Sequence, residues 1–100
     1  MSVDHNWTYE EVYYCTKRIV ECFVINRELD YNILLDELFI YFDMKIKKGS
    51  LKMFFSNTKH LFTMYNIPNT LTISELTNYS QMEHAALIEL LQEYNKNKKI

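Results

Sequence analysis

The chain has 100 residues, 48% hydrophobic and 24% charged, with a net charge of −2 at pH 7, and this bounds it to one globular domain. One Gly and one Pro leave no material for a phosphate loop, a dinucleotide-binding G-x-G-x-x-G or a nucleophile elbow. No apolar run reaches the roughly 18–20 residues a membrane span needs, and the start Met1-Ser2-Val3-Asp4-His5 has no signal-peptide pattern, so a cytoplasmic protein without membrane contact is expected.

The spacing predicts a first helix over 8–25. Thr8 and Glu11 form a T-x-x-E capping box, and Trp7 and Val12 stand at the positions of a hydrophobic staple. Val12, Cys15, Ile19, Cys22 and Phe23 recur at helical spacing. Cys15 and Cys22, about 10 Å apart along such a helix, are expected as reduced core thiols. A second helix is expected over 31–46, capped by Asp30, with Leu29 and Leu34 as its staple. Leu34, Leu35, Leu38, Tyr41 or Phe42, and Met44 or Ile46 supply its apolar face. Phe39 and Ile40 widen that stripe, which predicts the most enclosed helix of the domain.

Lys47-Lys48-Gly49-Ser50 reads as a turn, with Ser50 capping a third helix over 51–65 whose inner face is Leu51, Phe54, Phe55, Thr58, Leu61, Phe62 and Tyr65. Asn66 is placed for a left-handed C-cap and Pro68 prevents continuation. Residues 69–79 read as an ordered connector anchored by Leu71, Ile73, Leu76 and Tyr79. A second capping box, Ser80 with Glu83, opens a last helix reaching Tyr94, with Met82, Ala86, Leu87, Leu90, Leu91 and Tyr94 inward. The expected fold is all-α: a single four-helix domain over 1–100, with flexible ends at 1–6 and 95–100 and a central helix-turn-helix-like unit.

Charge is segregated. Residues 1–43 hold nine acids and three bases, whereas residues 44–74 hold five lysines and no acid. The basic block covers the expected turn and third helix, the layout with which a helix-turn-helix meets phosphates and the major groove. The DNA-contact set is therefore Lys45, Lys47, Lys48, Ser50, Lys52, Ser56, Lys59, His60 and Thr63. With no Arg in the block, the set suits backbone contact better than base reading. The acidic, tyrosine-rich first half (Glu10, Tyr13, Tyr14, Glu21, Asp36, Glu37, Tyr41) is the alternative surface, suited to a basic protein partner such as a nuclease or other host defence protein. Exposed aromatics also allow a homodimer.

Trp7-Thr8-x-Glu10-Glu11 resembles the opening of Myb/SANT-type helical modules. Together with Lys48-Gly49-Ser50-Leu51-Lys52-Met53, Asn57 and Asn78-Tyr79-Ser80, it is similar to a family of small helical bacterial and phage proteins, a related module of which precedes HNH nuclease domains. The resemblance implies a stand-alone DNA-docking module without cleavage activity, carried by a phage or mobile element. The rival expectation is a small inhibitor of the anti-CRISPR or anti-restriction type. His5, His60 and His84 make no metal-ligand pair, and no catalytic set, cofactor or metal is expected.

Overall fold

The computed structural model describes residues 6–25 and 31–98. It contains four helices: α1 (Tyr9–Phe23), α2 (Tyr31–Phe42), α3 (Lys48–Met64) and α4 (Gln81–Lys98). The domain is all-α. The expected cap and staple residues Leu29 and Asp30, and His5, lie outside the described residues.

The starts of α1 and α4 each follow from a local sequence device. The Glu11 N–H donates to Thr8 Oγ1 at 3.2 Å and the Thr8 N–H to Glu11 Oε1 at 2.8 Å, closing the first capping box. Ser80 and Glu83 repeat it ahead of α4, with both bonds at 3.1 Å. Trp7 lies flat on Phe54, ring centroids 4.9 Å apart, which ties the entry of α1 to α3. The buried core joins Val12, Cys15 and Ile19 of α1 to Leu34 and Leu38 of α2. Leu51, Phe55, Leu61 and Phe62 of α3 and Ala86, Leu87 and Leu90 of α4 complete it. Two core threonines lose no hydrogen bond on burial: Thr16 and Thr58 each donate to the carbonyl four residues back, at 2.8 Å. Both cysteines are buried and form no disulfide.

Three boundaries differ from the sequence expectation. α2 ends at Phe42, not 46, because Asp43 adopts φ 53° and its N–H returns to the Phe39 carbonyl, the left-handed cap geometry. Met44 consequently leaves the helix and buries itself in the 43–47 link. The reversal of the chain thus comes before the glycine, and α3 begins at Lys48 with Lys47 as N-cap and no side-chain cap bond. Ser50 therefore does not cap; it is already inside the first turn, where its N–H donates to the Lys47 carbonyl. Gly49 has no positive φ and serves no left-handed turn. At the other end α4 runs through residues 95–98, which the sequence assigned to a flexible end.

Asp43 pays the only left-handed backbone strain at a helix end besides Asn66 among the described residues. Asp43→Gly is expected to raise stability by about 0.5–1 kcal/mol and Asp43→Ala to lower it by about 1 kcal/mol, read as opposite shifts of the urea midpoint.

The C-terminus of α3 follows expectation. Asn66 has φ 54°, its N–H donates to Thr63 and that of Ile67 to Phe62, the paired bonds of a Schellman cap. Residues 67–80 then cross the domain without helix. An Asx turn at Asn69 (Leu71 N–H to Asn69 Oδ1, 3.1 Å) directs Leu71 into the core, and the Thr70 N–H reaches the Phe23 carbonyl at 2.8 Å. Ile73 and Tyr79 are half-buried anchors, but Leu76 is exposed, and so is Tyr65, which the periodicity placed inward. Tyr65 stands at the cap, where the helix has stopped presenting its inner face to the core, and its hydroxyl bonds to His84 Nε2 instead.

Candidate interaction surfaces

The expected DNA surface divides in two. Lys45, Lys47, Lys48, Ser50 and Lys52 are exposed around the start of α3. Lys48 and Lys52 place their ammonium groups 5.8 and 5.6 Å from the Tyr31 ring, and Lys45 stands 5.7 Å from that of Phe39. None of these lysines makes a salt bridge among the described residues.

The second half is covered. Ser56, expected to face outward, is 5% exposed, because the 71–79 connector lies along this side of α3. The Leu76 N–H donates to the Ser56 carbonyl and the Asn78 N–H to Asn57 Oδ1 at 3.1 Å. Glu75 arrives with the connector and takes His60 Nδ1 at 3.1 Å and the Thr63 hydroxyl at 3.0 Å. Those two bonds, His60 first, hold the Glu75 carboxyl below its usual range. His60 also stacks on Tyr79, whose edge meets His84. Lys59 is half-buried. A carboxylate thus stands among His60, Thr63 and Lys59, where the sequence block contained none, so the acid-free surface contracts to the start of α3. The connector's apolar anchors Leu71, Ile73 and Tyr79 require a face to rest on, and that requirement, outside α3, was the sequence signal for it.

Of the acidic, tyrosine-rich set, Tyr14, Glu21, Glu37 and Tyr41 are drawn together along the α1–α2 edge. Arg18 Nε and Nη2 donate to the two oxygens of Glu37 at 2.9 and 3.2 Å, and Nη1 to Glu21 at 3.1 Å. Tyr14 donates to Glu37 at 2.9 Å and lies edge-on to Tyr41 and Phe42, each 5.6 Å away. Burial, then the Glu37 bond, push the Tyr14 hydroxyl above its usual pKa. Tyr13 instead donates to Glu93 of α4 at 2.5 Å. Glu10 lines, with Tyr9, Tyr13 and Lys17, a neighbouring cleft of about 370 Å³.

The largest departure is α2 itself. The apolar all-round pattern reads as the most enclosed helix, yet only Leu34 and Leu38 are buried. Ile33 is 50% exposed, Phe39 49%, Ile40 73% and Tyr41 65%. A 12-residue helix that leans on α1 and α3 covers one narrow side, so the wide stripe turns outward. Asp36 lies between Ile33 and Ile40 at helical spacing, exposed and without an ion-pair partner among the described residues. Ile33, Phe39 and Ile40 were absent from the sequence-derived sites. Their signal was present: three apolar residues beyond what an inner face needs.

Among the described residues no three His, Cys, Asp or Glu side chains stand together as a metal-ligand set. Burial pushes the Cys15 thiol well above its usual range, and His60 and His84 engage Glu75 and tyrosines, not a thiol. No helix is long and apolar enough to cross a membrane among the described residues. Comparison with protein-family models, with curated proteins and with solved structures gives no match.

Proposed function

We propose that the chain is a non-enzymatic module that binds another protein through the outer face of α2. The observation that carries this reading is the exposure of four large apolar side chains, Ile33, Phe39, Ile40 and Tyr41, on one short helix, a concentration of the kind that marks an interaction site. The lysines of the 43–47 link and α3 border this face through Tyr31 and Phe39, and Asp36 sits at its centre. The complementary partner presents an apolar groove for Ile33 and Ile40, with a cationic donor for Asp36 between them. A two-fold pairing of α2 with itself would set Asp36 against Asp36 near the axis, so the occupant is a different protein. A nuclease or other defence protein met by a phage-encoded inhibitor is the partner class that fits the adjoining acidic, tyrosine-rich edge.

DNA docking is the second reading, supported by Lys45, Lys47, Lys48 and Lys52 standing exposed at a helix start without an ion pair among the described residues. One pair of variants separates the two. With the tagged chain as bait, Ile33→Asp with Ile40→Asp should abolish retention of a stoichiometric partner, whereas Lys47→Glu, Lys48→Glu and Lys52→Glu together should keep it. Retention unchanged by the isoleucine changes overturns the protein-binding reading. A salt-sensitive gel shift with DNA, lost in the lysine variant and kept in the isoleucine one, would establish the second reading in its place.

A further inference from the structure

We propose that Glu83 and the two clefts meeting at it form a binding site for a primary alkylammonium group. Glu83 is 7% exposed at the first turn of α4. Its Oε1 completes the capping box by accepting the Ser80 N–H, while Oε2 is buried without a hydrogen-bond partner among the described residues. A buried carboxylate oxygen left unpaired is costly. No lysine or arginine pairs with it among the described residues. Burial accordingly raises its pKa above the usual range.

The surroundings supply the rest of a cation site. The stacked pair Trp7 and Phe54 walls both clefts, of about 300 and 320 Å³, and Glu83 lines each of them. These volumes are at the small end of those that hold organic ligands. On one side Ser50, Asn57 and Asn78 line the cleft beside Met53, with Asn57 Oδ1 accepting the Asn78 N–H. An ammonium has three N–H donors and no acceptor, so it satisfies Glu83 Oε2 and neighbouring amide or hydroxyl oxygens together. Its alkyl stem rests on Trp7 and Phe54, whose faces also favour a cation. An anion would meet the buried carboxylate, and a neutral alcohol would leave its charge uncompensated. The ligand chemistry is therefore a small amine or the side chain of a lysine.

Trp7 is the single tryptophan of the chain and reports on the site by its fluorescence. The intact protein is titrated at constant ionic strength with n-butylammonium chloride, with n-butanol, and with N-acetyl-lysine methylamide. A saturable change in the millimolar range is expected for the amines and none for the alcohol. Glu83→Gln, which keeps the capping acceptor, should weaken amine binding at least tenfold while its circular dichroism and urea midpoint report an intact fold. Should Glu83→Gln not fold, Asn57→Ala with the wild-type Glu83 carries the test, with a two- to fivefold loss expected. Tighter binding of the lysine derivative assigns the site to a protein side chain, and tighter binding of butylammonium to a free amine. No saturable response to either amine, an equal response to n-butanol, or undiminished binding in the variant that folds overturns the proposal. None of these outcomes depends on the face of α2.

Discussion

Phe55→Ala is expected to lower the unfolding free energy by about 3–5 kcal/mol, the usual cost of emptying a fully buried aromatic site. Phe55 is 1% exposed. Its ring meets Phe23 of α1 edge-on at 5.7 Å and Tyr31 of α2 at 4.7 Å, so one side chain on α3 holds three helices. Loss of transfer energy and of two aromatic contacts, each contributing about 0.5–1.5 kcal/mol, acts together with the cavity left behind. Domains of this size have only about 5–15 kcal/mol in total, so the variant should be substantially unfolded at temperatures the parent withstands. Phe55→Leu should cost much less, about 1–1.5 kcal/mol. Urea titrations followed by far-UV circular dichroism check both values, and a Phe55→Ala loss under 1 kcal/mol would contradict the packing described.

Arg18→Ala is expected to cost about 1–2 kcal/mol, more than an exposed ion pair contributes. The guanidinium makes a two-bond fork to Glu37, and both side chains are only about a fifth exposed, at 21% and 23%. Removing it leaves the Glu37 carboxylate half-buried with Tyr14 as its remaining donor. Replacing both partners, Arg18→Met with Glu37→Leu, should recover most of the loss, since no charge is then left unpaired. A double-mutant cycle measured by urea unfolding isolates the coupling, expected near 1 kcal/mol and smaller at high salt. A coupling of zero would show that the pair only decorates the α1–α2 edge.

Where a local device governs the backbone, the chain could be read directly. The T-x-x-E and S-x-x-E boxes, the Asn66 cap and the core stripes of α1, α3 and α4 each follow from spacing, and the structure places them accordingly. The misreadings of burial share one cause: they concern which face is covered by something distant. Residues 31–42 carry an apolar excess but do not reveal that neighbours fully bury only Leu34 and Leu38, so a pattern that fits an enclosed helix equally fits one turned outward. Nothing within α3 reveals that Glu75 and Leu76, more than a turn beyond its end, fold back over Ser56 and His60. The reversal between α2 and α3 rests on Asp43 and not on the lone glycine, because a short polar side chain also tolerates the left-handed conformation.

The narrow buried side of α2 bears on the proposed function. This helix fully buries only Leu34 and Leu38, with Tyr31, Leu35 and Phe42 packed partly on the core, so on that reading any local opening of α2 withdraws the docking face from a fraction of molecules. Apparent affinity scales with the remaining fraction. Trimming Leu34 or Leu38, both fully buried, would on that reading weaken association by depleting that population, and tightening their packing would strengthen it.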